Sequence, residues 1–399
     1  MELKKRTSEK GQRTKSVLIA TKEFPPGPGG IGTYAYKIAV HLHRMGWKVS
    51  VVAEQQRTSG KEAEEFNASL PFTVKRMRLL PIGPIKGLYR LLVIASSILR
   101  TRPEIILASH AQMVWIATLL RPFFRCPIVA IGYGSEFLYP PGWRRSTTKW
   151  SFSRVSGVVN ISRFTENLMS AGGISAIRQT MIPPGADSED FEDVSLEDVE
   201  DLRQRHGLQS AKVILTVALI SERKGQNIII RAMPEILKRV PNAHYVIVGV
   251  PEKPAIKQEY EALAGELGVQ NRVHFVGKAP QSELPLYYHL CDVFALTSRK
   301  SACGSVEGYG IVAVEAALCG KPSVVTEGSG LTEAIVPGET GLSVPQDNPR
   351  KTAEAITALL ENDELRRKMG EAARERAWSS QGWDKRIVEY DRFLSELIS

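Results

Sequence analysis

The sequence predicts two tandem α/β domains, each a parallel sheet with helices on both faces, meeting at one cleft. Three observations predict this. Short apolar runs alternate with helix-length periodic segments along almost the whole chain. The pattern restarts after Pro183-Pro-Gly-Ala-Asp187, which can continue neither a helix nor a central strand. Finally, 399 residues are too many for one ordinary core and suit two of roughly 150–200 residues each.

Taken in order, residues 1–15 are polar and basic, lack the apolar stretch of a secretory signal, and are expected to form a disordered tail. The first domain is expected over 16–187. Its apolar runs at 16–21, 48–53, 104–108, 127–132 and 157–161 suit buried strands, with a first helix over 33–45. A hinge is expected near 183–191. The second domain, 188–377, has strand runs at 212–217, 244–248, 272–276, 292–296 and 323–326, with helices over 225–240 and 281–290. Segment 378–399 is expected as a last helix: Trp383, Ile387, Tyr390 and Leu394 follow i, i+4, i+7, i+11. That apolar face can cover the second domain or cross back to the first.

Composition narrows the function. At 43% hydrophobic and 24% charged residues the chain is globular, and no apolar run is long enough to span a membrane. Cys126, Cys291, Cys303 and Cys319 form no CxxC pair or metal-ligand spacing, as expected of reduced thiols in a cytoplasmic protein with no metal site. A net charge of +9 favours anionic partners. Nucleic acid is not among those expected, because no zinc-finger spacing or basic region followed by heptads is present.

The chemistry concentrates in Glu307-Gly-Tyr-Gly-Ile-Val-Ala-Val-Glu315. A glycine-rich turn opening a helix leaves backbone N–H groups directed outward, an anion site. Carboxylates beside an anion site suit hydroxyls, so the pattern fits a ligand with both phosphates and hydroxyls, a nucleotide-sugar. Gly308 and Gly310 would let the backbone approach the phosphates, with Tyr309 between them. Ile311 and Val312 would donate N–H groups. Glu307 would reach the sugar hydroxyls and Glu315 the ribose. Two further strand–turn–helix junctions suit the same ligand. Glu23-Phe-Pro-Pro-Gly-Pro-Gly29-Gly30-Ile-Gly32-Thr33 follows the first strand but matches neither GxGxxG nor the GK[ST] ending of a P-loop. Glu222-Arg223-Lys224-Gly225 follows the first strand of the second domain. A lysine there is mildly unfavourable against the helix dipole but well placed to stabilise a leaving phosphate.

These motifs resemble the retaining nucleotide-sugar glycosyltransferases of family 4. Glu307–Glu315 is similar to that family's E-x7-E motif, and 25–33 to its N-terminal glycine loop. Residues 213–225 resemble its phosphate-binding strand and loop, and Val273-His-Phe-Val-Gly277 the strand beside its base pocket. Gly338-Glu-Thr-Gly-Leu-Ser-Val344 resembles its G-x-T-G-L-x-V turn. Val306–Val312 resembles members that mannosylate phosphatidylinositol-type lipids. The resemblance implies the two-Rossmann-domain GT-B fold, with the acceptor on the first domain and the donor on the second. It also implies hexosyl transfer with retention, no cofactor, and Glu307, Lys224 and a first-domain residue at the reacting sugar.

The sequence departs from the family twice. The arginine expected five residues before Lys224 is Leu219, and the histidine of an H-G-x-E-like turn is Tyr133 in Tyr133-Gly-Ser-Glu136. Tyrosine can donate a hydrogen bond but does not titrate near neutrality. In the implied mechanism the donor's leaving phosphate acts as base, so positioning and charge stabilisation matter more than a titrating side chain. His110 is expected as a strand-end structural histidine. Leu219 and Tyr133 also leave open a non-catalytic nucleotide-sugar binder. A dinucleotide oxidoreductase is disfavoured by the missing GxGxxG.

On the acceptor side, Lys75, Arg76, Arg78, Lys86, Arg90, Arg100 and Arg102 flank an apolar stripe of Leu88, Leu91, Leu92, Ala95, Ile98 and Leu99. The stripe is expected to cover the first sheet. Its basic flanks leave peripheral membrane association and a lipid-linked acceptor in view, beside glycan and small-molecule acceptors.

Overall fold

A computed structural model of the chain describes residues 14–399 except 28, 56–57, 81–82, 193 and 302–303. Strands β1 (Ser16–Thr21), β2 (Lys48–Glu54), β3 (Thr73–Met77), β4 (Ile105–Ser109), β5 (Ile128–Gly132), β6 (Gly157–Asn160) and β7 (Gln179–Met181) form one sheet ordered β3-β2-β1-β4-β5-β6-β7. Strands β8 (Lys212–Val217), β9 (Ala243–Val248), β10 (Val273–Gly277), β11 (Val293–Leu296), β12 (Ser323–Thr326) and β13 (Gly341–Val344) form the second, ordered β10-β9-β8-β11-β12-β13. Every named pairing is parallel. The central strands are buried on both faces, which is why they read as continuous apolar runs.

Strand order reverses between β1 and β4 and again between β8 and β11. Ligands of open α/β sheets bind at such switch points. The loops after β1, β4, β8 and β11 are therefore where ligand contacts are expected.

The two chain crossings between domains lie side by side. Ala186 N–H donates to the Gln381 carbonyl (3.0 Å) and Trp383 N–H to the Ala186 carbonyl (3.2 Å). The approach leaves no room for a side chain at Gly185, where a Cβ would lie 2.7 Å from the Trp383 nitrogen. Asp187 is held by Lys37 and by His41 Nε2 (3.0 Å), both from the helix Gly30–Arg44.

The predicted last helix starts later than expected. Trp378 lies in the last turn of the preceding helix Asp363–Ser380, helical structure is interrupted at Gln381–Gly382, and Trp383–Ile398 forms a separate helix. This helix crosses back to the first domain. Trp383, Ile387, Tyr390 and Leu394 are all buried, Tyr390 Oη meets Tyr34 Oη (2.8 Å), and Trp47 Nε1 donates to Asp391 (2.8 Å). Residues 1–13 of the expected tail lie outside the described residues, as does Cys303. Lys15 ion-pairs with Asp391 at 3.1 Å.

The basic stretch also departs from expectation. Thr73–Met77 is an edge strand with Arg76 turned inward, donating to the Phe24 carbonyl (3.2 Å) and to Asn67 (2.9 Å). Arg90 is buried in an ion pair with Glu54. These two cations brace the interior and cannot face a membrane. The apolar stripe divides as well. Ile98 is buried, Leu91 and Ala95 are half-buried, and Leu88, Leu92 and Leu99 are 60%, 57% and 64% exposed.

Beneath the second sheet, His244 Nδ1 meets His274 Nε2 (2.8 Å), and Arg272 donates to His244 Nε2 (2.7 Å). Burial, with His274 and Arg272 nearby, lowers His244 from 6.5 to about 4 and lowers His274 as well. A histidine whose folded pKa lies below its unfolded value contributes stability that is intact above pH 6.5 and lost as pH falls toward the folded pKa. Thermal melts are therefore expected to drop between pH 6.5 and 4. His244→Asn should flatten part of that slope, and a midpoint unchanged by pH across this window would contradict the assignment.

Candidate active site

β8 runs into a tight turn, Glu222–Lys224, and then Gly225 at φ +70°. A Cβ on Gly225 would lie 1.9 Å from the Thr297 carbonyl oxygen, so only glycine lets this turn pass beneath the end of β11. The turn aims two cations at one acceptor. Arg223 Nη1 and Lys224 Nζ each donate to Glu307 Oε2 at 2.6 Å. Glu307 and Lys224 are 14% and 13% exposed. Burial alone would raise the Glu307 carboxyl, but Lys224 and Arg223 outweigh it and hold the group at about 2. Burial lowers Lys224 despite the pull of Glu307.

Just beyond, the helix Ile311–Leu318 starts from Gly310, at φ +87° and with no side-chain cap. Its first N–H groups, Ile311 and Val312 among them, have no acceptor within the helix. They lie at the positive end of its dipole, in a helix that begins four residues after Glu307. One turn in, Tyr288 Oη donates to Glu315 Oε2 (2.5 Å), and burial raises the Glu315 carboxyl. The Gly277 carbonyl at the end of β10 accepts from Gly249 N–H (2.8 Å), joining the two loops beside the expected base pocket.

Two expected residues, Gly308 and Tyr309, behave differently, whereas Tyr133 keeps the non-titrating character expected of it. Gly308 faces the first domain, where a Cβ would lie 2.6 Å from the Tyr133 carbonyl oxygen. Its glycine requirement comes from that contact, while Gly310 is required for its positive φ. Tyr309 is buried, and its hydroxyl accepts from Gln381 Nε2 (3.1 Å) at the hinge, so its side chain points away from the cations. The Tyr133 hydroxyl is bonded to Ser109 Oγ (2.6 Å) and its ring meets Tyr34 edge-on. Burial raises it well above the ordinary phenol range, so it serves as a hydrogen-bonding group only.

The first-domain glycine loop separates by geometry. Gly29 adopts φ +147°, and a Cβ on Gly32 would lie 2.9 Å from the backbone of Glu23 and Phe24, whereas Gly30 has nothing within 4 Å. Gly30→Ala should keep full activity and add up to about 1 kcal/mol of stability at a helix start. Gly32→Ala should displace the Glu23–Phe24 turn and lose activity. Paired turnover assays and melts check both. His110 caps the helix Ala111–Leu120, its Nδ1 accepting from Gln112 N–H (3.2 Å), and burial keeps it neutral. That is the structural role expected of it.

Comparison with known proteins identifies the family. The description "Glycosyltransferase Family 4" matches residues 28–190, and "Glycosyl transferases group 1" matches 198–376. The GDP-mannose-dependent alpha-(1-6)-phosphatidylinositol monomannoside mannosyltransferase of Mycolicibacterium smegmatis is 30% identical, over 96% of this chain and 98% of that one. The chain belongs to glycosyltransferase family 4. A D-inositol 3-phosphate glycosyltransferase of Corynebacterium glutamicum is 29% identical to this transferase over 88% of the chain and 87% of its own length. The crystal structure of Anabaena HepE in complex with UDP superposes with a TM-score of 0.81 at 21% identity, covering 96% of this chain and all of that one. At that identity the match shows the fold, which is GT-B.

Several contacts of this transferase escaped the sequence. Ser135 Oγ accepts from Val306 N–H (3.2 Å), tying the first-domain turn to the loop before Glu307. Tyr288 holds Glu315, and Gln381 holds Tyr309. Each joins residues distant in sequence, and no local pattern marks them.

Proposed function

We propose that the protein transfers a hexosyl unit from a nucleotide-diphosphate sugar to a lipid-linked acceptor, with net retention at the anomeric carbon. The observation that carries this reading is the meeting of Lys224 and Arg223 on Glu307, four residues before the helix Ile311–Leu318 opens without a side-chain cap. Lys224, Arg223 and the Ile311 and Val312 N–H groups would hold the diphosphate. Arg223 would stand in for the arginine replaced by Leu219, since it reaches the same oxygen as Lys224 from a different starting point. Glu307 would take the sugar hydroxyls and Glu315 the ribose hydroxyls. Gly29 and Gly32 would bring the first-domain loop to the cleft, with Gly30 between them under no packing constraint, and Tyr133 would orient groups beside the sugar through its hydrogen bonds. The departing phosphate would take the acceptor's proton, with attack on the face it leaves.

The test is turnover with a panel of nucleotide-sugars, starting with GDP-mannose because relatives are named for it. Nuclear magnetic resonance of the product reads the anomeric configuration. An inverted product would overturn retention. Donor binding with no transfer or hydrolysis would favour the non-catalytic alternative, which has no support in the relatives' names.

A lipid-linked acceptor is supported by charge and by the exposed apolar face. Residues 16–187 carry 21 Lys and Arg against 9 Asp and Glu. Ile85, Leu88, Leu92 and Leu99 project from the helix Gly83–Thr101, with Phe123 exposed in the first domain as well. Among the described residues no helix is long and apolar enough to cross a membrane, so attachment would be peripheral. Co-sedimentation with liposomes is expected to require anionic lipid and to weaken with salt. Equal partition onto neutral vesicles would count against it.

A further inference from the structure

We infer that Glu333 is a positioning residue that couples the donor loop to closure of the cleft. Glu333 lies in the second domain, near the end of the short helix Leu331–Ala334. Its carboxylate reaches the first domain. Oε2 accepts from Arg163 N–H (2.8 Å) and Oε1 from Phe164 N–H (2.7 Å), the first two amides of the helix Arg163–Ala171. That helix has its own cap, in which Ser162 Oγ accepts from Thr165 N–H (3.1 Å). Glu333 therefore satisfies the two amides which the local cap leaves open, and it does so with both oxygens of a carboxylate at the positive end of a helix.

The other end of the short helix is fastened to the donor loop. Gly330 N–H donates to the Glu307 carbonyl (2.9 Å), and Gly330 packs so closely that a Cβ would lie 1.9 Å from the Gly308 carbonyl oxygen. Arg376 fixes the C-terminal end, donating to the carbonyls of Ala334 (2.6 Å) and Glu333 (2.9 Å). A shift of the 307–308 backbone therefore moves the whole short helix and the carboxylate with it. The same loop meets the first domain through Gly308 against Tyr133 and Val306 against Ser135. When Glu307 exchanges its cations for ligand contacts, the change is carried across the cleft through a connected set of backbone bonds. Loss of the latch leaves the donor groups in place but misaligns the two halves.

The bond can be cut from either side. Arg163→Pro removes one donating N–H at the first helical position, where proline is well accommodated, and Ser162 before it is already extended at φ −165°, ψ 162°. Small-angle scattering of the ligand-free full-length protein is expected to show a larger radius of gyration for Glu333→Ala than for wild type. Arg163→Pro should show a smaller increase in the same direction, and the double variant no more than Glu333→Ala. Transfer turnover should fall about tenfold, within the usual range of coupling between sites, with the donor KM little changed. Glu333→Gln, which keeps the shape and one acceptor, should recover part of the loss. It carries the test with Arg163→Pro if the alanine variant does not fold. Superimposable scattering, or effects that add in the double variant, would overturn the inference. Only the kinetic arm rests on the proposed donor site. Scattering needs no substrate, so failure of that site and failure of the latch are distinguishable.

Discussion

Lys224→Ala and Glu307→Gln are expected to abolish transfer while shifting nucleoside-diphosphate affinity in opposite directions. In the ligand-free protein both cations of the Glu222–Lys224 turn are paired with a single, largely buried carboxylate. A diphosphate needs the same cations, so Glu307 and the phosphates compete for them. Removing Lys224 takes away a contact that strengthens as charge develops on the leaving phosphate, and turnover should fall roughly 10²–10³-fold. Binding weakens with it. Removing the charge at Glu307 takes away the sugar contact but frees Lys224 and Arg223, so a nucleoside diphosphate should bind more tightly than to wild type. Calorimetry with the diphosphate alone, alongside turnover assays, separates the two. Both variants should fold. Lys224→Ala leaves Arg223 at 2.6 Å from the carboxylate, and the Glu307 titration should move up from about 2 toward the ordinary carboxyl range. Weaker diphosphate binding in Glu307→Gln would show that this carboxylate helps to hold the phosphates, contrary to the assignment.

The difference between what the sequence disclosed and what it concealed follows from which interactions are local. β1, β8 and β12 lie at their expected bounds because central parallel strands are buried on both faces and form unbroken apolar runs. β3 and β7 passed unnoticed, and β13 was read only as part of the 338–344 turn: all three lie at the edges of their sheets and are short, and β3 and β7 carry polar residues such as Lys75, Arg76 and Gln179. Glu307, Lys224 and the helix start at Ile311 were recoverable because a glycine turn opening a helix is a local pattern with its own physics. The inward orientation of Tyr309 was not. Its place beside Gln381 depends on the return of the chain 72 residues later. Arg76 and Arg90 misled for a related reason, because a cation bonded within the fold and a free surface cation look alike until Asn67 and Glu54 are brought beside them. Glu333 is the clearest case: the amides it caps are 169 and 170 residues away in another domain.

Gly330→Ala is expected to cost donor binding and turnover at least as much as the loss of a charged contact, although it adds only one methyl group. Gly330 has φ −67° and ψ −7°, ordinary right-handed values that alanine adopts freely, so its own backbone is not strained. The obstacle is the neighbour. The added carbon would lie 1.9 Å from the Gly308 carbonyl oxygen and 2.9 Å from the Tyr309 nitrogen, and neither is the end of a flexible side chain. One of the two backbones must move. Gly330 is bonded to Glu307 on one side and leads into the Leu331–Ala334 helix on the other, so the displacement falls on the donor loop and the latch together. Overpacking of this kind costs about 1–3 kcal/mol. That is well below the roughly 5–15 kcal/mol that stabilises a typical domain, so the protein should stay folded, with a melting midpoint lower by a few degrees. Circular dichroism would show a folded protein, calorimetry would show nucleoside-diphosphate binding lost, and Gly30→Ala, with open space around its added methyl, would serve as the silent control. Donor turnover surviving in folded Gly330→Ala would mean that the loop has slack which its packing against Gly330 does not reveal, and that the position of Glu307 matters less to the reaction than its charge.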